Sequence, residues 1–452
     1  MNGLEIAEAA LAAAGGEAEA VVHIEHSGLA RFAGSEVHQP TLVDNTVVQL
    51  SVVREGRLGV AITNRTSDEG LEELAGRAGE AAASASPGPD FPGLASPVQF
   101  PEAKGDDAQT AALTSEDQGR LAAEAINGTG SFGAYGFFTS AVCEVAVASS
   151  TGLAVEQRFT DAIVVVLAAT EGASGYAEST SSRVSALDLG AVGREAAEKA
   201  ERSRAARGLE PGSYRAVLEP CALGELLQYF AWDSLNGLGL LEERSFLSGR
   251  LGERIFDSKI SITDDALDSR GLPKRFDFEG TPKQRVQLVE EGVARGVVWD
   301  RTTAMRAGDG QASTGHALQA QFRRFGPQAL ALSVAPGEAD SVDELVEVVG
   351  DGIYVTRLHY LGIVDPREGI LTGMTRDGTF RIRDGKLAEP LVNLRFTVSV
   401  PELLADVPGL TRDVRLTNQT EFYDERYASG ALVPALATAR FHVTGTGSGP
   451  GL

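Results

Sequence analysis

Apolar and polar residues alternate through four runs near the start of the chain, "AVVHIEHS", "LARFAGSEVHQ", "NTVVQLSVVREG" and "RLGVAITN", so each predicts a strand with one buried face. The last two meet at "REGR", which reads as a tight hairpin. Helical spacing marks residues 4–14, an Ala-rich stretch at 67–85, residues 115–126 and a charged stretch at 188–206. Between Phe132 and Ala177 lie four strand-like runs, of which "DAIVVVLAAT" is the most apolar. Later segments read as hairpins around "EEG" and "RDGK", and "SVDELVEVVGDG" as a helix with Ser341 as N-cap and Gly350 as stop.

Strands dominate both halves with helices inserted, which predicts an α+β fold rather than a doubly wound sheet. A chain of 452 residues is long for one core. The turn-rich "RGLEPGSY" is the expected boundary between an N-terminal α+β domain, 1–207, built on an antiparallel sheet flanked by helices, and a β-rich C-terminal domain, 208–452. Residues 444–452, rich in Gly and Ser, are expected to form a disordered tail.

The second half has one prominent helix, "ALGELLQYFAWDSLNG". Leu223, Leu226, Leu227, Phe230 and Ala231 share one apolar face, Pro220 opens the helix and Asn236-Gly237 closes it. Its polar positions include Gln228, Tyr229 and Asp233.

A net charge of −23 removes the basic surface that sequence-independent binding to nucleic acid or anionic membrane requires. No apolar run approaches the roughly 20 residues of a membrane span, and the first residues lack the basic stretch of a signal peptide. Cys143 and Cys221, the two cysteines, form no zinc-type pair and suit a reducing compartment, so a cytoplasmic location is expected. "GSFGAYG" lacks the strand-to-helix spacing of a dinucleotide fingerprint. None of the six histidines has another four or five residues along, and His23 and His26, three apart on a strand, point to opposite faces, so no metal site is legible locally.

The ordered segments "SFLSGRLGERIFDSKISITDD", "FEGTPKQRVQLVEEGVARGVVWD", "ASTGHAL", "DGIYVTRLHYLGIVDP" and "TGMTRDGTFRIRDGKLAEPLVNLRF" resemble the second half of the TldD/PmbA family. The N-terminal run "VVQLSVVREGRLGVAITN" with its following Ala-rich helix resembles that family too. The resemblance implies a metallopeptidase scaffold whose TldD branch carries an HExxxH motif, two zinc-binding histidines with a glutamate that activates water, and a third ligand, a cysteine, near the C-terminus.

On this chain the motif falls on "QYFAWD": Gln228 and Asp233 stand at the histidine positions and Tyr229 at the glutamate. Glutamine is a poor zinc ligand, and a tyrosine near its usual pKa of about 10 is a poor base at neutral pH. No cysteine follows Cys221; the resemblance places the missing ligand near Tyr427. The resemblance therefore implies the PmbA/TldE branch: a subunit with no catalytic residue or cofactor of its own, pairing with a TldD-type subunit that carries the zinc. Together they would enclose a chamber where unfolded peptides are cut or matured; without that partner, a homodimer is the assembly to expect.

The competing expectation is a stand-alone enzyme with a divergent site around His316, His359, Tyr360 and Asp365, which lie in "STGHAL" and "RLHYLGIVDP". In either case Arg244, Arg250 and Arg254 are candidates to line a substrate path, since guanidinium forks match peptide carboxylates.

Overall fold

The computed structural model describes residues 1–86, 91–308, 310–420 and 425–447. Among these residues the first half forms a six-stranded antiparallel sheet in the order β3-β2-β1-β4-β5-β6. Its strands are β1 (Ala18–Ala33), β2 (Glu36–Arg54), β3 (Arg57–Thr63), β4 (Gly133–Ser149), β5 (Ala154–Thr170) and β6 (Ala173–Ser181). The helices α1 (Gly3–Ala14), α2 (Asp68–Ser84), the single-turn α3 (Ala108–Ala111), α4 (Ser115–Gly128) and α5 (Leu189–Arg202) belong to this half.

Period-two alternation divides the sheet into two faces. Val22 and Leu50 pack with Ile6 of α1 and Leu71 and Leu74 of α2, while Phe32, Phe138 and Val164 pack with Leu121 of α4 and Val192 of α5. From the opposite face Val21, Cys143, Val145 and Phe159 meet Phe276 and Phe278, which come from the second half of the chain.

The second half forms an eleven-stranded sheet among the described residues. It comprises β7 (Gly212–Leu218), β8 (Ile262–Asp264), β9 (Val286–Glu290), β10 (Val293–Ala294), β11 (Leu332–Val334), β12 (Gly352–Asp365), β13 (Ile370–Arg383), β14 (Lys386–Leu391), β15 (Leu394–Ser399), β16 (Gly409–Asn418) and β17 (Gly430–Thr446). The pairings β17–β15, β15–β13, β13–β12, β12–β7 and β7–β17 close into a circuit. Helix α6 (Pro220–Ser234) follows β7 directly, and α7 (Gly237–Leu241), α8 (Arg301–Ala307), α9 (Val342–Val349) and α10 (Val400–Leu404) are short. No helix among the described residues is long and apolar enough to cross a membrane.

The α+β architecture expected from the sequence is the one observed. The hairpins at Glu55-Gly56, Glu291-Gly292 and Asp384-Gly385 have positive φ at both residues, the conformation a two-residue turn between twisted strands demands. Three local expectations are corrected. The first run and the second as far as Ala33 form one strand, β1, and the rest of the second turns through Gly34-Ser35 into β2; between the runs Gly28 admits a close helix, since a Cβ there would lie 2.1 Å from the Gln118 side chain of α4. Three strands, not four, occupy the region from Phe132 to Ala177, since β4 and β5 run 17 residues each where about 5–6 is usual. Thr444–Thr446 extend β17 instead of starting a disordered tail, and 448–452 lie outside the described residues.

The two sheets are joined through a buried charge. Arg426 donates from Nε to Asp161 Oδ2 at 3.1 Å, pairs its Nη2 with Asp161 Oδ1, and donates from Nη1 to Thr139 Oγ1 at 2.7 Å. Its backbone N–H reaches Glu25 at 3.0 Å. Replacing Arg426 with Ala strands the Asp161 carboxylate in a dry site, so the variant is expected to lose about 3–5 kcal/mol of stability. Denaturant midpoints at constant slope check this.

Candidate functional site

Helix α6 has two faces with different tasks. Leu223, Leu226, Leu227, Phe230 and Ala231 are buried against Leu218, Val355, Leu358 and Phe396, as the helical spacing predicts. Gly224 lets the helix sit against β16, for a Cβ there would meet Thr417 Oγ1 at 2.4 Å. Glu219, the N-cap, is held by Tyr354 Oη at 2.6 Å and Lys199 Nζ at 2.7 Å, which fixes where the helix begins.

The other face places Cys221, Glu225, Gln228, Tyr229 and Trp232 along one wall of a cavity of ≈ 590 Å³. Tyr176 and Glu178 of β6, Arg357 and His359 of β12, and Asn418–Thr420 supply the rest of the lining. A second lobe of ≈ 260 Å³ shares Gln228, Trp232 and Gln419 with the first and adds Phe322, Phe325, Glu425 and Tyr427. Gln228 and Tyr427, more than half the second half's length apart in sequence, thus line one lobe.

Burial dominates the electrostatics. It pushes the Glu225 carboxyl up to about 8, with Arg357 opposing and Glu178 reinforcing the shift. Burial likewise raises Glu178, which accepts hydrogen bonds from the Tyr176 hydroxyl and from the Asn418 N–H at 2.9 Å. The Cys221 thiol is pushed up by burial and by the Glu178 and Glu219 carboxylates. Burial, with Arg376 and Arg357 nearby, pushes the His359 imidazole down to about 4, so it is neutral at pH 7. Arg357 donates from Nε to Asp377 at 2.9 Å and stacks over Tyr176 at 4.0 Å from the ring centre.

The residues singled out in the sequence scatter. Gln228, Tyr229 and His359 line the larger lobe. Asp233 is paired with Arg244, which also donates to Glu242 at 2.8 Å. Arg250 stacks over Phe246 at 4.2 Å in a separate groove, and Arg254 donates to the Glu291 carbonyl at 2.7 Å. His316 is fully buried between Asp264 at 2.8 Å and Thr314 at 2.9 Å. Tyr360 is 78% exposed, with φ of +53° at an irregularity between β12 and β13, and Asp365 caps a turn by accepting from the Arg367 and Glu368 N–H groups.

Cys221, Glu225 and Trp232 were legible as the polar stripe of α6 at helical spacing. Glu178 was not, because it comes from the other sheet.

The motif positions do not fit a zinc site. The first is a neutral amide, the second a phenol, and the third a carboxylate engaged by a guanidinium. Tyr427 is packed against Phe159 and Phe278, with Lys274 Nζ 4.5 Å from its ring centre.

Comparison with known proteins agrees with this scaffold. The model of the PmbA/TldA metallopeptidase C-terminal domain matches residues 211–445, that of the central domain 98–204 and that of domain 1 residues 18–82. Together these describe a metallopeptidase-type scaffold. The chain belongs to the PmbA/TldD family.

A metalloprotease of Methanothermobacter thermautotrophicus is 31% identical over 233 residues, 51% of this chain and 49% of that protein. The chain thus spans about half the length of the curated relatives it matches. TldE from Thermococcus kodakarensis superposes with a TM-score of 0.83 at 19% identity, covering 94% of this chain and 96% of that one. A candidate modulator of a DNA gyrase from Thermotoga maritima gives 0.84 at 18% identity over 97% and 99%. At these identities the likeness is one of fold.

Rebuilding the motif tests the geometry. The triple variant Gln228→His, Tyr229→Glu, Asp233→His is expected not to gain tight zinc, since its two imidazoles lack a third ligand and Arg244 is left without Asp233. Adding Tyr427→Cys should raise affinity by bringing a thiolate to the lobe that Gln228 lines. Chelator competition on both variants measures the difference.

Proposed function

We propose that this chain is the TldE/PmbA-like, non-catalytic subunit of a pair whose TldD-type partner carries the zinc. The two would enclose a chamber for the proteolysis or maturation of unfolded peptides in the cytoplasm. The observation that carries the reading is the make-up of the motif face: an amide, a phenol and an ion-paired carboxylate on a helix whose apolar side is fully packed. This face still opens on a cavity with two lobes, which suits a wall that guides peptide toward chemistry performed elsewhere.

A self-contained enzyme around His316, His359, Tyr360 and Asp365 would need those groups to converge. His359 lines the cavity, whereas His316 is enclosed by Asp264 and Thr314, Asp365 holds a turn and Tyr360 points to solvent. The geometry favours the subunit reading.

Co-expression with a TldD-type subunit followed by size-exclusion chromatography tests the pairing. The expected outcome is a joint peak, peptide hydrolysis in the mixture, and neither stoichiometric zinc nor hydrolysis in this chain alone. Two separate peaks, with the TldD-type subunit equally active by itself, would overturn the reading.

A further inference from the structure

The larger lobe is lined by two carboxyl groups and a single guanidinium. Glu225 and Glu178 both line it, from α6 and β6. Arg357 lines it as well, but its guanidinium is committed to Asp377 and stacked on Tyr176. The Glu225 carboxyl accepts the Leu358 N–H, and Arg357 is the cation that acts on it. One and two turns along the same helix, Tyr229 and Trp232 bring aromatic rings to the wall beside it.

We propose that this lobe receives a primary ammonium group of a peptide, with Glu225 as its acceptor, Glu178 as supporting negative charge, and Tyr229 and Trp232 as aromatic walls. A second cation beside Glu225 would favour its ionised form, which Arg357, already paired with Asp377, favours only in part, and aromatic faces add cation–π attraction. A carboxylate ligand is disfavoured, because it would enter beside two acidic groups while Arg357 is already paired. The group is either a lysine side chain or a free amino terminus. This inference rests on the reading of the cavity as a wall of the peptide chamber.

Proton exchange follows from the same arrangement. Glu178 and Tyr176 face Glu225 from β6, Cys221 and Tyr229 from its own helix, and Arg357 and His359 from β12, with Asp377 of β13 behind Arg357. Glu225 titrates at about 8, so near neutrality it is mostly protonated and must release a proton when it pairs with an ammonium. For a lysine, affinity should therefore rise with pH from about 6 to about 9, below the point where its ammonium deprotonates, whereas for an amino terminus, which itself deprotonates near pH 8, it should pass through a maximum at about pH 8.

Isothermal titration of the isolated full chain tests the proposal without any partner subunit. The probes are a pentapeptide blocked at both ends with a central lysine, its norleucine, acetyl-lysine and glutamate counterparts, and the norleucine peptide with a free amino terminus. We expect one ammonium-bearing peptide to bind at least about tenfold more tightly than the blocked norleucine peptide, the scale of a charged hydrogen bond. The lysine and free-terminus arms decide which source the lobe prefers.

Titrations in buffers of different ionisation enthalpy should show proton release on binding. Glu225→Gln resembles the protonated carboxyl and should keep the fold, checked by thermal melting, while losing both the preference and the proton release. Equal binding of norleucine, preference for glutamate, absence of binding by every peptide, or an unchanged preference in a folded Glu225→Gln variant would each overturn the proposal. A chain that fails to pair with a TldD-type subunit yet prefers the ammonium peptide would separate this inference from the partner reading.

Discussion

The pairing of Arg426 with Asp161 decides how the two sheets sit on one another. An arginine placed among β1, β4 and β5 is tolerated only because Asp161, Thr139 and Glu25 meet its donors, and that demand fixes the position of the short segment that carries it. Tyr427 follows immediately, set between Phe159 and Phe278 and turned toward the lobe that Gln228 lines. The shape of the cavity therefore depends on a charge buried outside it. Phe276 and Phe278 lie on that same face of the first sheet, the one its own helices leave open.

Within the cavity, low polarity outweighs each individual charge. Two carboxyls, a thiol and a phenol all shift toward their neutral forms, and burial is the largest cause in each case. His359 moves in the opposite sense for the same reason, since its charged form is the protonated one. The result is a wall whose groups are held neutral or internally paired.

Much of the scaffold was legible in the sequence because it follows from local rules. The Glu-Gly and Asp-Gly hairpins, the Ser341 cap and the apolar stripe of α6 each depend on a few neighbouring residues, and the structure keeps them. The continuity of β1 across Gly28 was not legible, because that glycine answers to Gln118, about ninety residues away, through a close approach that no local pattern records. The candidate site divides in the same way: Gln228 and Tyr229 could be found from their helix, but the partners of Arg244, the enclosure of His316 and the approach of Glu178 depend on tertiary placement. Histidines in turn-rich segments drew notice by residue type, which carries no information about convergence.

The closed circuit of strands bears on how the chain can be made. β7 is synthesised first among the circuit's members, yet residues 212–218 find one of their two partners in residues 436–443 of β17. β11, β15 and β16 also wait for β17, so four strands keep unsatisfied backbone edges until it arrives. A nascent chain halted before Gly430 would present those edges to its neighbours, which makes the second sheet the aggregation-exposed stage of biogenesis and ties its folding rate to contacts more than two hundred residues apart. The first sheet, complete by Ser181, has no such dependence for its own strand pairing and can form while the second is still being translated.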